Sequence, residues 1–460
     1  MSKVFISFLG TGSNPDDSTK IGYDEVSYSI GDKTLPSTHF AQRAILEHHH
    51  PESFDRIHIF MTEQSRKKHW SPLRDQLLSL GAKEDALRDN ASLTTRMDSK
   101  DQWQWFEILL DAIQDDDDVI MDFTHGFRSV PIVFSSAIGF LQKARKFRLL
   151  HAYYGYVEKE NKTVVKAEII DMAGFYRIND WADAVARLTE TADASKLAML
   201  AEEEKGSSFE ALNDQKLIEA LQSLTDLIKN IDVNRVGAIA DAALGIIEKK
   251  IGESSGANLC LLKMVRDKFD ELACQQPPSG RYDEAYFRTQ FILTEMLLKH
   301  HLPMQAFTVM RECVASLGML KVQEEYGTLN MLNNQGRKYR GKYGEMFVCL
   351  CQFPRSKWKY ENPEVIPAIG SDQMEDFNFL LTFWNQIDGL GVADILQGFV
   401  GEMVKLRNGF DHAWTTKAGV PGSVLESGHK YLNALQTVFE RLCEAGIVEP
   451  AASKCRIDNG

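Results

Sequence analysis

Short apolar runs alternate with helix-like stretches through the first 178 residues of the chain. Six of these runs have the length and the β-branched or aromatic content of strands: 3–9, 21–30, 56–62, 118–123, 149–157 and 163–170. Three stretches between them have the apolar spacing of helices: 66–80, 102–114 and 130–146. Strands that alternate with helices predict a layered α/β fold, Rossmann-like, with a mostly parallel sheet.

The helix predicted from Val130 is apolar nearly all round, so we expect it to be buried in the core or in a subunit interface. Its apolar stretch, Val130–Leu141, is interrupted by Ser135 and Ser136. This stretch is also shorter than the ~18–20 residues that span a bilayer. We therefore expect no membrane segment.

After Trp181 the pattern becomes helical. Eight segments place apolar residues three and four apart: 206–229, 235–251, 257–274, 283–300, 303–320, 373–388, 393–410 and 424–445. The compact run Met346–Phe353 cannot be assigned by periodicity, and 200–205 has the composition of an exposed hinge. The pattern predicts an all-α C-terminal region.

The composition is that of a globular protein, with 44% hydrophobic and 25% charged residues among 460. Seven cysteines without a framework spacing indicate reduced thiols, and the N-terminus runs into a strand without a signal peptide, so we expect a cytoplasmic protein. The net charge of −13 argues against long, nonspecific duplex binding. A nucleic acid would have to bind in a local basic pocket.

The turn Gly10-Thr11-Gly12 follows the first strand, at the edge where α/β folds place ligand loops. It is not a dinucleotide fingerprint, because Pro15 stands where the third glycine would be. The chain has no G-x-x-x-x-G-K-(S/T) sequence, which excludes a P-loop nucleotidase. Ligand contact and a simple tight turn both remain open for this segment.

The most informative segment runs from Asp122 to Pro131, between a buried strand and a helix. Backbone N–H groups at such a helix start favour an anion. Gly126 permits close backbone approach, Thr124 supplies a hydroxyl, and Arg128 offers bidentate contacts to phosphate. The alternative is that the Thr, His and Arg side chains only cap the helix or satisfy the loop.

A second candidate, Arg407-Asn408-Gly409-Phe410-Asp411-His412, ends an amphipathic helix. Residues five apart lie about 140° from each other on a helix, so Arg407 and His412 meet only if Gly409 breaks it. Such a pair suits metal-independent RNA cleavage, since histidine moves a proton near neutral pH and arginine stabilises a pentavalent phosphate. The spacing alone is weak evidence, because Arg43 and His48 share it.

The best basic segment lies at 337–359. Its members are Arg337, Lys338, Arg340, Lys342, Arg355, Lys357 and Lys359, with Tyr339, Tyr343 and Trp358 interleaved. This mixture suits single-stranded nucleic acid, although a solvated face is the alternative. Neither His48-His49-His50 nor Cys349-Leu350-Cys351 has the partners of a metal site, so we expect no metal.

The segment Asp122-Phe123-Thr124-His125-Gly126-Phe127-Arg128, with Pro131 following, resembles the Asp-x-Thr-His-Gly signature of CRISPR-associated ancillary proteins. It also fits the broader (Asp or Asn)-x-(Ser or Thr)-x-x-x-(Arg or Lys) pattern of CARF sensor domains. Phe8-Leu9-Gly10-Thr11-Gly12, Tyr153-Tyr154-Gly155 and Trp181 are similar to that family too. The pair Arg407 and His412 sits where such proteins carry a C-terminal HEPN ribonuclease domain.

The resemblance implies a type III CRISPR effector that cyclic oligoadenylate activates. The expected domains are a CARF-like sensor at 1–178, a helical connector at 179–282, a HEPN-like ribonuclease at 283–450 and a tail at 451–460. Both folded domains would form homodimers, or higher homo-oligomers, and the HEPN pair would cut single-stranded RNA without a metal or cofactor. Cyclic tetra-adenylate is the expected activator, with cyclic hexa-adenylate second.

The resemblance also implies residue roles. Gly10, Thr11 and Gly12 would line one edge of the ring site, and the motif loop would hold the phosphates and sugars through Thr124, His125, Gly126, Phe127 and Arg128. Arg407 and His412 would be catalytic, with Asn408 and Asp411 orienting them. Two alternatives stay open: a sensor whose helical half is a regulatory or interaction module, and a CARF domain that degrades the ring itself.

Overall fold

The structure is a computed structural model, and it describes residues 2–12, 21–91, 93–94, 99–126, 130–161, 163–203, 211–273, 280–327, 333–358, 374–414 and 423–451. The chain divides into two compact units, Met1–Asp180 and Trp181–Gly460. The first unit is a mixed α/β sheet domain and the second is mostly helical, which confirms the predicted fold class.

The first unit is built on one sheet of eight strands. They are β1 (Lys3–Leu9), β2 (Ser29–Ile30), β3 (Lys33–Thr34), β4 (Arg56–Met61), β5 (Leu87–Asn90), β6 (Asp118–His125), β7 (Arg148–Glu160) and β8 (Thr163–Asp171). Their order is β3-β2-β8-β7-β6-β1-β4-β5. The block from β7 to β5 is parallel, whereas β8 returns antiparallel to β7 as a long hairpin.

Three short strands of the sheet, β2, β3 and β5, differ from the sequence prediction. Within the strand expected at 21–30, only Ser29–Ile30 is a strand, and Val26 forms an isolated bridge with Thr38. The short edge strand β5 was not predicted, since its sequence Leu-Arg-Asp-Asn has almost no apolar signal.

Helices cover both faces of the sheet. They are α1 (Ala41–His49), α2 (Glu63–Ser65), α3 (Ser71–Ser79), α4 (Ser99–Ala112), α5 (Val130–Ala144) and α6 (Ala173–Thr191), with single 3-10 turns at Pro51–Ser53 and Glu84–Ala86 and a π turn at Arg66–Trp70. One core joins α1 and α3 to the sheet, and a second joins α4 and α5 to its other face. Because β-strand side chains alternate in direction, Phe5 enters the first core and Ile6 the second.

The second unit is a set of packed helices. They are α7 (Ser195–Glu203), α8 (Gln215–Lys229), α9 (Val233–Glu253), α10 (Gly256–Phe269), α11 (Glu284–Lys299), α12 (Pro303–Tyr326), α13 (Asn334–Tyr339), α14 (Glu345–Gln352), α15 (Met374–Asp388), α16 (Val392–Asp411) and α17 (Val424–Glu444), with 3-10 turns at Asp270–Leu272 and Arg355–Lys357 and a π turn at Arg340–Gly344. The run that periodicity could not assign is therefore helix α14.

Local sequence sets several of these helix starts. Asp214, Asp232 and Asp283 each accept a hydrogen bond from a backbone N–H in the first turn of α8, α9 and α11. Helix α12 lies at the centre and packs against α11, α14, α16 and α17. Within the ranges given above, no helix combines the length and the apolarity needed to cross a bilayer. The predicted boundary between 282 and 283 stays a prediction.

Candidate ligand-binding and catalytic sites

The two predicted ligand-binding segments of the first unit lie side by side. Strands β1 and β6 are parallel neighbours, so both end at the carboxyl edge of the sheet. The backbone N–H of Gly10 donates to the carbonyl oxygen of His125 at 2.9 Å. A Cβ at Gly10 would lie 2.9 Å from that same oxygen, so only glycine allows this approach. Gly10-Thr11-Gly12 and Thr124-His125-Gly126 thus form one edge.

Gly12 is required by its own conformation. Its φ of +69° lies in the left-handed region, and a Cβ there would lie 2.4 Å from the carbonyl oxygen of Gly22. Gly22 therefore lies close against Gly12, and the next residue, Tyr23, reaches the sheet edge. The Tyr23 hydroxyl donates to the carbonyl oxygen of Gly10 at 2.8 Å.

Thr124 is held from two sides. Its hydroxyl donates to the Asp122 carboxylate at 2.5 Å and accepts the backbone N–H of Gly155 at 2.8 Å. A Cβ at Gly155 would lie 2.6 Å from the Thr124 methyl group, so this contact also requires glycine. The threonine therefore joins the end of β6 to β7.

Asp122 anchors this arrangement from within the sheet. It is fully buried, and its carboxylate also accepts bonds from the Ser7 hydroxyl at 2.6 Å and the Thr124 N–H at 3.0 Å. Burial raises the pKa of Asp122 above its ordinary value, while these bonds act in the opposite direction. Neither Ser7 nor the anchoring role of Asp122 was predicted from sequence, because strand alternation hides which polar residues face each other.

His125 is a neutral, stacked imidazole. Its ring centroid lies 3.9 Å from that of Tyr23, with 31° between the planes. Its Nε2 accepts the N–H of Ala41, the first residue of α1, at 3.4 Å, which places the proton on Nδ1. Burial, and to a lesser degree the nearby His69, lower the pKa of His125 to about 3. The residue therefore offers a hydrogen bond and a flat surface without a positive charge.

Two residues of this edge were missed by sequence reasoning. Tyr23 belongs to the segment expected as a strand at 21–30, and His69 lies in the π turn Arg66–Trp70. The fully buried His69 donates from Nε2 to the carbonyl oxygen of Thr11 at 3.1 Å. Its ring centroid lies 5.2 Å from that of Tyr23. Only the fold brings these side chains to the edge, because neither has a motif around it.

Part of the predicted ring site lies outside the described residues. Phe127, Arg128 and Ser129 belong to this part, so their predicted contacts to phosphate stay predictions. Gly126 is described, and its N–H reaches the carbonyl oxygen of Phe123 at 3.4 Å.

The second candidate site differs from its prediction in one respect. Helix α16 continues through Gly409 to Asp411, so the expectation that Gly409 breaks the helix is wrong. A Cβ at Gly409 would lie 2.7 Å from the Trp414 ring, and Trp414 donates its N–H to the carbonyl oxygen of Gly409 at 2.9 Å. The glycine is needed because the chain folds back over the helix end.

The polar groups of this site lie at the surface. Arg407 forms an ion pair with Asp411 one turn later, and Asn408 is exposed. His412 is exposed just after the helix, with its N–H bonded to the carbonyl oxygen of Asn408 at 3.1 Å. The structure keeps Arg407, Asn408 and His412 near one helix end, without the break that would turn the first and last towards each other.

Several members of the basic segment are structural. Trp358 is fully buried and packs 5.2 Å from Trp384 between ring centroids, so it is a core residue. Arg340 pairs with Glu312, and Lys342 lies 2.5 Å from Asp376. Exposed cations do remain, namely Arg337, Lys338, Arg355 and Lys357, and Lys359 lies outside the described residues.

Known proteins match this chain in sequence and in structure. No family model matches the chain. A curated CRISPR-associated protein of Methanocaldococcus jannaschii is 23% identical over 141 residues, which are 30% of this chain and 20% of the relative. This chain is similar to a CRISPR-associated protein. The similarity spans about a fifth of the relative's length.

The solved structure is Enterococcus italicus Csm6 bound to cyclic hexa-2'-fluoro-hexa-dAMP. It aligns with a TM-score of 0.47 and 12% identity, covering 96% of this chain and 95% of that one.

Proposed function

We propose that this protein is an endoribonuclease of type III CRISPR antiviral defence, which cyclic oligoadenylate activates and which cuts single-stranded RNA without a metal. One observation carries the proposal: the hydrogen bond from Gly10 to His125 joins the two segments that the sequence assigns to ligand binding. The similarity to a CRISPR-associated protein supports the same context.

The carboxyl edge of the sheet suits a cyclic oligonucleotide. Its loops follow parallel strands, which is the usual ligand position in α/β folds. Neutral His125 and Tyr23 offer flat surfaces on which bases stack, and Gly10 and Gly126 let the backbone approach closely. Arg128 would add the charge that phosphates require. A ring with two-fold symmetry would take the same loops from each of two copies.

The end of α16 would supply the RNA chemistry. The 2′-hydroxyl of the substrate attacks the adjacent phosphorus, the bond to the 5′-oxygen of the next nucleotide breaks, and a 2′,3′-cyclic phosphate remains. His412 would move the proton, and Arg407 would stabilise the additional negative charge on phosphorus. Asn408 would orient the two. DNA, which lacks the nucleophile, would be inert.

Ring binding would activate the enzyme by shifting the packing of the paired sensor units. The helical part would carry this change to the α16 end and move His412 towards its partners. In the present structure Arg407 is paired with Asp411, which is consistent with a site that is not yet assembled.

The test is cleavage of a fluorogenic single-stranded RNA in EDTA, with cyclic tri-, tetra- and hexa-adenylate added separately. We expect cleavage with cyclic tetra-adenylate, and none by His412→Ala. His429→Ala is the matched control, because His429 is an exposed histidine on the neighbouring helix α17. Equal cleavage by wild type and His412→Ala would contradict the assignment of the catalytic residues.

A second candidate is a sensor or ring nuclease whose helical half is regulatory. The unbroken helix α16 favours it, because residues five apart on a helix lie about 140° from each other. Chromatography of the ring after incubation with the protein distinguishes the two candidate functions. Ring breakdown that His125→Ala abolishes and His412→Ala retains, without RNA cleavage, would establish this alternative.

A further inference from the structure

A cleft runs along helix α11 in the second unit. Its volume is about 360 Å³. That volume lies within the range of small-molecule sites, which is about 300–1,000 Å³. Its lining comes from α11, from α17 and from the 3-10 turn Asp270–Leu272. Helix α11 packs against both of the others, so it forms the floor between two walls. We call this space the α11 cleft, and none of its lining residues is assigned to the two candidate sites.

The floor of the α11 cleft is apolar and largely aromatic. Phe291 and Phe439 are 7% and 5% exposed, and their ring centroids lie 5.3 Å apart with 72° between the planes. Ile292 belongs to the same lining. The Arg288 guanidinium lies over the Phe439 ring, 5.8 Å from its centroid. Aromatic faces attract cations, so the protein already places one of its own cations in this cleft.

Carboxylates stand on both walls above this floor. Glu440 is exposed on α17, and Glu271 is exposed on the 3-10 turn. Among the described residues, no cation forms an ion pair with either of these carboxylates. Gln436 lies one helical turn before Glu440 and lines the same wall. The cleft therefore offers hydrogen-bond acceptors on two sides of an apolar floor.

The cations of the cleft are engaged or lie at one end. Arg288 forms an ion pair with Glu284 at 2.7 Å, and Lys299 forms one with Glu295 at 2.8 Å. Lys299 and Lys268 line a smaller cavity of about 150 Å³, which shares three lining residues with the cleft. The larger cavity has three carboxylates and one guanidinium in its lining, which leaves two negative charges. A cationic ligand would therefore occupy the larger cavity.

We propose that the α11 cleft binds an aliphatic polyamine, a linear chain of methylene groups that carries several ammonium groups. One ammonium group would lie between Glu440 and Gln436, and another would lie at Glu271. The methylene groups between them would pack on Phe291 and Ile292. An ammonium group has only hydrogen-bond donors, which match carboxylate and amide oxygens. Anionic ligands such as nucleotides would be repelled by the same carboxylates.

The apolar floor distinguishes a polyamine from a metal ion. Mg²⁺ keeps several water molecules and binds oxygen ligands, so it gains nothing from Phe291 or Ile292. A polyamine removes the apolar floor from water and also neutralises the carboxylates. The proposal does not depend on ring binding or on RNA cleavage, because the cleft uses other residues.

Isothermal titration calorimetry of the full chain with spermidine tests the proposal. We expect one-to-one binding by wild type. Combining Glu271→Gln with Glu440→Gln should lower the affinity by at least about tenfold, which corresponds to about 1.4 kcal/mol. The matched control combines Glu248→Gln with Glu253→Gln, since both residues are exposed on α9 and the two variants have the same net charge. This control should bind spermidine like wild type. Equal losses of affinity in the two variants would show a response to overall charge only and would overturn the proposal.

Competition and thermal unfolding give further readouts. Mg²⁺ in excess, at constant ionic strength, should not displace spermidine. Spermidine should raise the melting temperature of wild type and of the α9 control, but not that of the cleft variant, because a ligand stabilises the fold that binds it. Far-UV circular dichroism checks that each variant is folded. Displacement by Mg²⁺, or tighter binding of a tetralysine peptide than of spermidine, would assign the cleft to a metal or a basic peptide and contradict the proposal.

Discussion

The two candidate sites differ in the burial of their side chains and in the contacts that those side chains make. At the sheet edge, Asp122 is fully buried and bonded to Ser7 and Thr124, and His125 is stacked and neutral. At the end of α16, His412 and Asn408 are exposed, and Arg407 is engaged by Asp411. The described part of the first site is held together by bonds within one copy of the chain. At the second site, Arg407 and Asn408 lie in the last turns of α16, and His412 directly follows the helix.

This difference fits an enzyme that is inactive until it is switched on. A preorganised ligand site binds its ring with little loss of conformational freedom. Because Asp411 engages Arg407, the catalytic pair would need a further event before it reacts.

The largest effect is expected at His412. Replacing His412 with alanine should lower ring-activated cleavage by about 10²–10⁴-fold, the usual contribution of general acid–base catalysis. Ring affinity, measured by equilibrium dialysis, should be unchanged, because the residue does not belong to the sheet edge. A matching loss of ring affinity would show that the two sites are not separate.

Gly155→Ala, unlike His412→Ala, should lower the affinity for the ring. Alanine at Gly155 places a Cβ 2.6 Å from the Thr124 methyl group and must displace the motif loop. Overpacking of this kind costs about 1–3 kcal/mol, so ring affinity should fall roughly 5- to 150-fold. Gly245→Ala is the control, since no atom approaches that position in α9. Equal ring affinity of Gly155→Ala and wild type would mean that Thr124 does not position the loop.

Ser7→Ala should have a smaller effect, which is a loss of folding stability. It removes one hydrogen bond from the buried Asp122 carboxylate, which is worth about 1–3 kcal/mol in the free energy of unfolding. Urea unfolding followed by circular dichroism measures the loss, with Ser79→Ala on the surface of α3 as the control. If both variants unfold at the same urea concentration as wild type, Asp122 is not anchored as described.

The smallest effect concerns pH. The pKa of His125 is lowered to about 3, so the unfolded chain binds more protons than the folded one between that value and about 6.5. Its contribution to stability is therefore present at neutral pH and is lost as the pH falls through this window. His125→Gln should make the stability curve flatter between pH 6.5 and pH 4. His49 and His58, whose pKa values burial also lowers, should leave part of the slope in place.

The sequence was most informative where apolar strands precede polar loops. The run 118–123 predicted β6 and with it the position of Thr124, His125 and Gly126. It could not predict Tyr23 or His69, because Tyr23 reaches the edge through a tertiary contact with Gly10 and His69 lies in a π turn. The same limit explains the error at Gly409, where Trp414 folds over the helix end and makes glycine necessary for a tertiary reason.

Helix α5 is a second case in which the sequence pattern alone was not sufficient. Its composition predicted burial, in the core or in a subunit interface, but the hydrophobic pattern could not divide its surface between the two. In the structure Phe134, Ala137, Ile138 and Leu141 face the core, while Ile132 and Phe140 do not. When a helix is apolar on all sides, its sequence does not show which side faces the core.

Activation of RNA cleavage by the ring is tested most directly in one titration of the wild-type protein with cyclic tetra-adenylate, in EDTA. Ring binding and RNA cleavage are measured in the same samples. If a preformed sensor site switches on the catalytic residues, cleavage should be negligible without the ring. It should then rise with the same midpoint as ring binding. RNA cleavage at the full rate without any ring, or ring binding to saturation without cleavage, would contradict that claim.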